Sequence, residues 1–375
     1  MGEQRGAIAL AERVLNLLDQ GRFTTTYKYA VLLGILDLCL ENTARSGAPP
    51  SVLTTRQLAE KVFELYWPQV APYWREESLR QTRGRKGQRA RILSLVTDFR
   101  QSAATRLGQA LPLLERARAA CPAAYQQAVC EVEWTLIRYP IVLLQRVGND
   151  EVRFLYDIHW TEQVRRGDVR RYQAGQPADF DNRLLLQPRV GEFLAQLNNL
   201  LRPLIQRQWT SEVARINRLE EADLQSFLFG AERIALTPVR GPLLELQGGR
   251  CFYCGRPART PEVDHFLPWS RYPGNGIENL VVADRGCNGN KRDFLAAAEH
   301  VNAWSARLDP SGATWSHLPE IASGLGWAEN AERTTSVTRA IYLRLPDDVR
   351  LWAGRDDFVR VDRDAIRAAL GRAGV

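Results

Sequence analysis

The residues of this chain whose types and spacing could do chemistry crowd into one stretch, Arg250 to Trp304. Cys251 and Cys254 form a C-x-x-C pair in a turn closed by Gly255. Asp264 and His265 come next, and Asn279, Asp284, Cys287, Asn288 and Lys291 complete the set. Asp264 and Asn288 offer oxygen ligands, which suit a hard divalent ion such as Mg²⁺ or Mn²⁺ that keeps open positions. His265 titrates near neutrality and is suited to take a proton from water. A carboxylate, an amide and an imidazole around one ion can carry out metal-assisted hydrolysis.

Short elements must bring these groups together. Leu280-Val281-Val282-Ala283 is a run of apolar and β-branched residues and predicts a strand. Glu262 and Val263 lead into Asp264 and predict a second strand, joined to the first by a Pro/Gly-rich loop. After Asn288 the spacing of Phe294, Leu295, Ala298, Val301 and Trp304 predicts one helix, its apolar side against the two strands. Lys291 then falls in the first helical turn, where free backbone N–H groups favour a phosphate. The result is a ββα unit.

The order Asp-His, then Asn, then Cys-Asn-x-x-Lys resembles the HNH endonuclease family, whose active site is a ββα-metal finger. Phe266-Leu267-Pro268-Trp269 and the His300…Trp304 pair also resemble bacterial stand-alone HNH proteins, and the likeness covers about residues 250–304. It implies that His265 activates water for attack on a phosphodiester bond and that Asp264 and Asn288 hold the ion. It also implies that Asn279 holds the loop between the strands and orients the histidine. Products with a 5′-phosphate and a 3′-hydroxyl follow from the same likeness.

Many members of that family carry a structural zinc on two C-x-x-C pairs. Here the second pair departs from the pattern, because Asp284-Arg285-Gly286-Cys287 is D-x-x-C. Two readings stand: a zinc on Cys251, Cys254, Asp284 and Cys287, or three thiols that only pack the knuckle.

The rest of the chain is organised around helices. Leu10, Val14, Leu17 and Leu18 mark one side of a helix over 7–20, and 27–41 is apolar nearly all round, as a central helix would be. Thr54 and Thr55 predict a capped start to the next helix. Around Gly148-Asn149-Asp150, 141–146 and 152–156 predict a β-hairpin, and 168–182 a polar loop. Arg83, Arg85, Lys86 and Arg89 form a basic loop after the aromatic pairs Tyr66-Trp67 and Tyr73-Trp74. That loop reads as a phosphate-contacting segment or as a solvated face, and its order with the flanking helices and hairpin also matches a winged-helix reader. The expected fold is mainly α with a small α+β module. It has a helical N-terminal region over 1–236 for DNA or partner recognition, an HNH finger over 237–305 and a helical extension over 306–375.

A formal charge of +7 favours a polyanionic partner, although almost all of it is arginine, lysine occurring only as Lys28, Lys61, Lys86 and Lys291. The absence of a long apolar run, a start without a signal-peptide pattern and thiols in apolar settings (Cys39, Cys121 and Cys130) point to a reducing cytoplasm. The expected function is therefore a metal-dependent nuclease acting on DNA, in restriction or anti-phage defence, with a partner protein as a candidate trigger. The alternatives are a non-catalytic, metal-stabilised binding module and a nuclease for RNA or branched DNA.

Overall fold

A computed structural model describes residues 2–20, 25–73, 78–84, 90–147, 150–230, 235–312 and 316–372. It divides into two compact units, one of Met1–Cys39 with Pro50–Gly230 and one of Leu40–Pro49 with Ala231–Val375. The fold is mainly helical with small antiparallel sheets, as the sequence predicts. The finger and the residues after it belong to one unit.

In the first unit α1 (Gly2–Gln20) buries Leu10, Val14, Leu17 and Leu18 on one side. α2 (Tyr27–Glu41) is buried nearly all round, as its apolar surface requires. β1 (Val52–Thr54) leads into α3 (Thr55–Tyr66), which opens on a capping box between Thr54 and Gln57. A Cβ on Gly34 of α2 would come within 2.9 Å of the Leu58 side chain, so α2 and α3 approach closely where α2 carries a glycine. Next come α4 (Arg91–Leu107), α5 (Leu114–Ala120) and α6 (Pro122–Arg138). The rings of Phe63, Trp67, Phe99 and Tyr125 interlock α3, α4 and α6 into a core. Trp67 packs there, as does Tyr66 against Trp209, while Tyr73 meets Phe227.

The region after α6 differs from the sequence expectation. Pro140 starts a further short helix, α7 (Pro140–Leu143), because its missing N–H costs nothing in a first turn. The hairpin is shorter than expected and pairs β2 (Arg146–Val147) with β3 (Asp150–Glu151). β4 (Tyr156–Asp157) instead joins β5 (Arg183–Leu186), which also pairs with β1. Among the described residues, 141–158 is divided between α7, the short β2–β3 pair and β4 of another sheet rather than forming one extended wing. The polar stretch expected to be a loop contains α8 (Arg166–Gln173), and α9 (Val190–Gln196), α10 (Asn198–Asn217) and α11 (Glu221–Phe229) follow.

In the second unit α12 (Thr237–Leu246) forms with Pro238 in its first turn and Pro242 inside it. β6 (Pro261–His265) and β7 (Leu280–Asp284) make an antiparallel pair, followed by α13 (Arg285–Lys291) and α14 (Ala298–Ala306). α15 (His317–Leu325) and α16 (Ala331–Tyr342) come next. A hairpin of β8 (Arg350–Gly354) and β9 (Asp357–Arg360), not foreseen from sequence, precedes α17 (Arg363–Arg372). Phe266 and Trp304 stack at 5.0 Å in the core beneath the finger, with Val281, Ile277 and Val301 fully buried near them in the chain.

The single helix expected after Asn288 is two helices. Gly286 and Gly289 weaken α13, and Arg292, at φ 47°, stops it one residue past Lys291. Phe294 is consequently outside the core, 44% exposed and edge-on to Phe358.

Candidate functional site

The four residues Leu280, Val281, Val282 and Ala283 of β7 are completely buried, which explains their apolar run. Opposite them, β6 delivers Asp264 and His265 in register with Val281 and Leu280. Asn279 closes the loop between the strands. Its Oδ1 accepts from Leu267 N (2.8 Å), and its Nδ2 donates to Leu267 O (3.1 Å) and Gly274 O (3.0 Å). One buried amide thus satisfies three backbone groups that the turning chain leaves unpaired.

The partner that orients His265 is a different asparagine. Asn275 Oδ1 accepts from His265 Nε2 at 2.7 Å, and Asn275 O in turn accepts from the Trp327 indole at 2.7 Å. Since Nε2 carries the proton toward a carbonyl oxygen, Nδ1 keeps the lone pair, and it makes no hydrogen bond among the described residues. Burial holds the imidazole below its ordinary pKa, and Lys291 acts the same way, while the Asn275 bond and the Asp264 charge oppose them. The lowered pKa favours the neutral imidazole, the form a base needs. Trp269 lies edge-on to its ring.

Asp264 is held through one oxygen. Tyr253 donates its hydroxyl to Oδ2 at 2.5 Å, and Lys291 Nζ lies 3.0 Å from the same atom. Lys291 also donates to His265 O at 2.9 Å. This corrects the sequence expectation for Lys291: it sits in the last turn of α13, is completely buried and cannot reach a phosphate. It braces both Asp264 and His265 from below. Asn288 donates Nδ2 to Glu262 Oε2 at 2.9 Å, and Arg285 Nε holds Oε1 at 2.7 Å. Arg285, then Asn288, keeps the Glu262 carboxyl below its usual range. Asp264 Oδ1 and Asn288 Oδ1 are left without hydrogen bonds among the described residues, two oxygen donors of the kind a hard divalent ion takes.

Residues 251–297 match the family model described as HNH endonuclease. The likeness expected from the motif order therefore holds over this segment. Residues 6–228, more than half of the chain, match the family described as "Domain of unknown function (DUF8808)". The chain belongs to the DUF8808 family. Comparison with curated proteins and with solved structures finds no match.

Beside its HNH pair of strands, this DUF8808 protein gathers Cys251, Cys254 and Cys287, with all three sulfurs within 4.8 Å of one another. Their backbone is anchored by Cys251 N to Arg256 O (2.8 Å) and by Phe252 N to Val282 O (2.9 Å). Burial, and then the neighbouring Cys251 charge, pushes the Cys287 thiol up to about 12. Three thiols this close cannot all ionise unless a cation compensates them, so the cluster fits a zinc ion. Asp284 is not part of it. Its carboxylate accepts from Arg259 N (2.9 Å) and Thr260 N (3.0 Å) and caps α13 through Gly286 N. The backbone N–H of Thr260 leads the contacts that hold its pKa below the ordinary aspartate value. The four-ligand set from sequence is thus corrected to three thiols.

Of the basic loop, Arg83 makes a two-pronged pair with Glu212 in the first unit (2.8 and 2.9 Å), and Arg215 shares that carboxylate. Arg83 thus pairs within its own unit while its side chain stays half exposed. Arg85, Lys86 and Arg89 lie outside the described residues. His300 packs between Tyr253 and Trp352 and meets Ala353 O at 3.1 Å, as a packing histidine should. Sequence reasoning missed Asn275, Tyr253 and Glu262. Only Glu262 carried a signal, since two residues before Asp264 on a strand is the same face.

Proposed function

We propose that this protein is a metal-dependent endonuclease that hydrolyses DNA phosphodiester bonds. The observation carrying this reading is His265, its neutral form favoured and its ring oriented through Nε2, with Nδ1 left as a base beside Asp264 in an HNH segment. His265 Nδ1 takes a proton from water, and the resulting hydroxide oxygen bonds to phosphorus as the bond from phosphorus to O3′ breaks. O3′ leaves as an alkoxide and takes a proton from solvent, giving a 3′-hydroxyl and a 5′-phosphate. Asp264 and Asn288 would hold a Mg²⁺ or Mn²⁺ ion, which when bound supplies positive charge to the phosphate and leaving oxygen. Asn279 keeps the loop closed and Lys291 braces the Asp-His pair. Cys251, Cys254 and Cys287 would hold a structural zinc.

The formal charge of +7 supports a polyanionic substrate. The union of a DUF8808 region with an HNH segment supports a targeted nuclease, in which 6–228 recognises DNA or a partner protein. Restriction or anti-phage defence in the cytoplasm is the role we infer from this architecture. No helix among the described residues is long and apolar enough to cross a membrane.

The test is incubation of wild-type and His265→Ala protein with supercoiled plasmid and Mg²⁺ or Mn²⁺. Nicking or linearisation by the wild type, reduced at least about 100-fold in the variant, is expected. Equal cleavage by both would remove His265 as the base, and two inert proteins would favour a binding module. Metal analysis of the same preparations should find zinc in the wild type and a loss of it in Cys251→Ser. Zinc-free wild type of normal stability would leave the thiols as packing alone.

A further inference from the structure

β6 and α13 meet through two parallel rungs. Glu262 and Asp264 are two apart on the strand and share one of its faces, while Asn288 and Lys291 are three apart on the helix and share one of its sides. One rung is Asn288 Nδ2 to Glu262 Oε2 at 2.9 Å, and the other is Lys291 Nζ to Asp264 Oδ2 at 3.0 Å. The second rung binds one oxygen of Asp264 and leaves Oδ1 over. The first does the same for Asn288, by a different means.

An asparagine amide has two nearly isosteric ends, of which only the oxygen can ligate a cation. Nothing in the shape of the side chain decides which end faces the ion. A carboxylate accepts hydrogen bonds and donates none, so Glu262 can pair only with the NH₂ end. That bond turns Asn288 Oδ1 away from Glu262. Glu262 is itself held in place, because Arg285 Nε occupies its other oxygen at 2.7 Å.

Resting on the nuclease reading above, we propose that Glu262 is a positioning residue that sets the amide orientation of Asn288 and so presents Oδ1 as a ligand to the catalytic ion. Partners of this kind behind a metal ligand contribute about 10- to 100-fold to metal affinity. Glu262 touches neither substrate nor reacting atoms. It acts through Asn288.

The experiment is a titration of Mn²⁺ into the full chain followed by electron paramagnetic resonance, with thermal melting recorded for each variant. Glu262→Ala should weaken Mn²⁺ binding about 10-fold, while Glu262→Gln, which keeps an acceptor oxygen, should restore most of it. In an Asn288→Asp background, where both side-chain oxygens are alike, Glu262→Ala should carry no such penalty. If the penalty persists there undiminished, or if Glu262→Gln melts normally but binds as weakly as Glu262→Ala, Glu262 acts by its charge and the proposal is overturned. Unchanged affinity in Glu262→Ala alongside weakened affinity in Asn288→Ala would also overturn it, leaving the nuclease reading intact. Unchanged affinity in Asn288→Ala would instead remove Asn288 as a ligand, and the positioning role with it.

Discussion

His265 sits where burial penalises its charged form, which holds the imidazole below the ordinary value of 6.5. The neutral base therefore survives to lower pH than it would on a free histidine. Cleavage should be flat from pH 8 down past 6.5 and decline only as pH falls through the depressed pKa. Asn275 pulls the other way, since its hydrogen bond raises that pKa and fixes the ring. Asn275→Ala should thus lower kcat by about 100-fold through a loosened ring and move the acid limb of the pH profile further down. An unchanged kcat, or a limb that moves up, would show that Asn275 does not orient the base.

At the scale of elements, the turn before β7 contains a carboxylate that works against the fold. Glu278, on the 3₁₀ turn over Ile277–Asn279, is 1% exposed. Burial raises its pKa to about 7 from the ordinary 4.5, against the backbone N–H groups of Glu278 itself and Asn330, which lower it, while Glu329 adds to the rise and Arg307 opposes it. A carboxyl raised on folding contributes fully below its unfolded value and loses that contribution as pH climbs through the folded one. Stability should therefore decline between pH 4.5 and about 7. Glu278→Gln should melt higher than the wild type at pH 8 and alike at pH 4.5, with an upper limit of about 3 kcal/mol at roughly 1.4 kcal/mol per pH unit. A gain equal at both pH values would show that the ionisation is not the cause. The same turn supplies Asn279 to the loop clasp, and its Glu278 O accepts from the Trp304 indole at 2.8 Å. The loop carrying Asn275 is thus tied to α14.

Across the second unit, the segment after α16 completes the finger. Trp352 of β8 is completely buried, donates its N–H to Leu295 O (2.8 Å) and accepts from Ala297 N (2.8 Å). Its ring stacks on His300 and meets Tyr253 edge-on, and Tyr253 holds Asp264. The path from the C-terminal hairpin to the ligand carboxylate is therefore two side chains long. Trp352→Ala should destabilise this unit by about 3–5 kcal/mol, as large core truncations do, measurable by urea unfolding, and should cost cleavage as well. Full activity in a chain ending at Leu345 would show that the hairpin is dispensable. Leu40–Pro49 belongs to this unit too, with Tyr272 donating to Glu41 and Arg344 to Gly47 O.

The sequence by itself determined the chemical inventory and its local setting. Asp264, His265, Asn279 and Asn288 stand in an order that short-range pattern can read, and the apolar run of β7 announces its own burial. The amphipathic α1, the all-round apolar α2 and the capped α3 were legible for the same reason, since periodicity and caps are encoded within a few residues. Tertiary structure alone decided which groups touch. Lys291 looks like a helix-start phosphate ligand until Gly286, Gly289 and Arg292 shorten α13 and turn it onto Asp264. Asp284 looks like a zinc ligand until the backbone of Arg259 and Thr260 claims its oxygens. Asn275, Tyr253 and Trp352 reach the site from a loop, a knuckle and a distant hairpin. Their roles depend on how the loop and knuckle fold back onto β6 and, for Trp352, on a contact with Tyr253 made from a distant part of the chain, and no spacing rule encodes those.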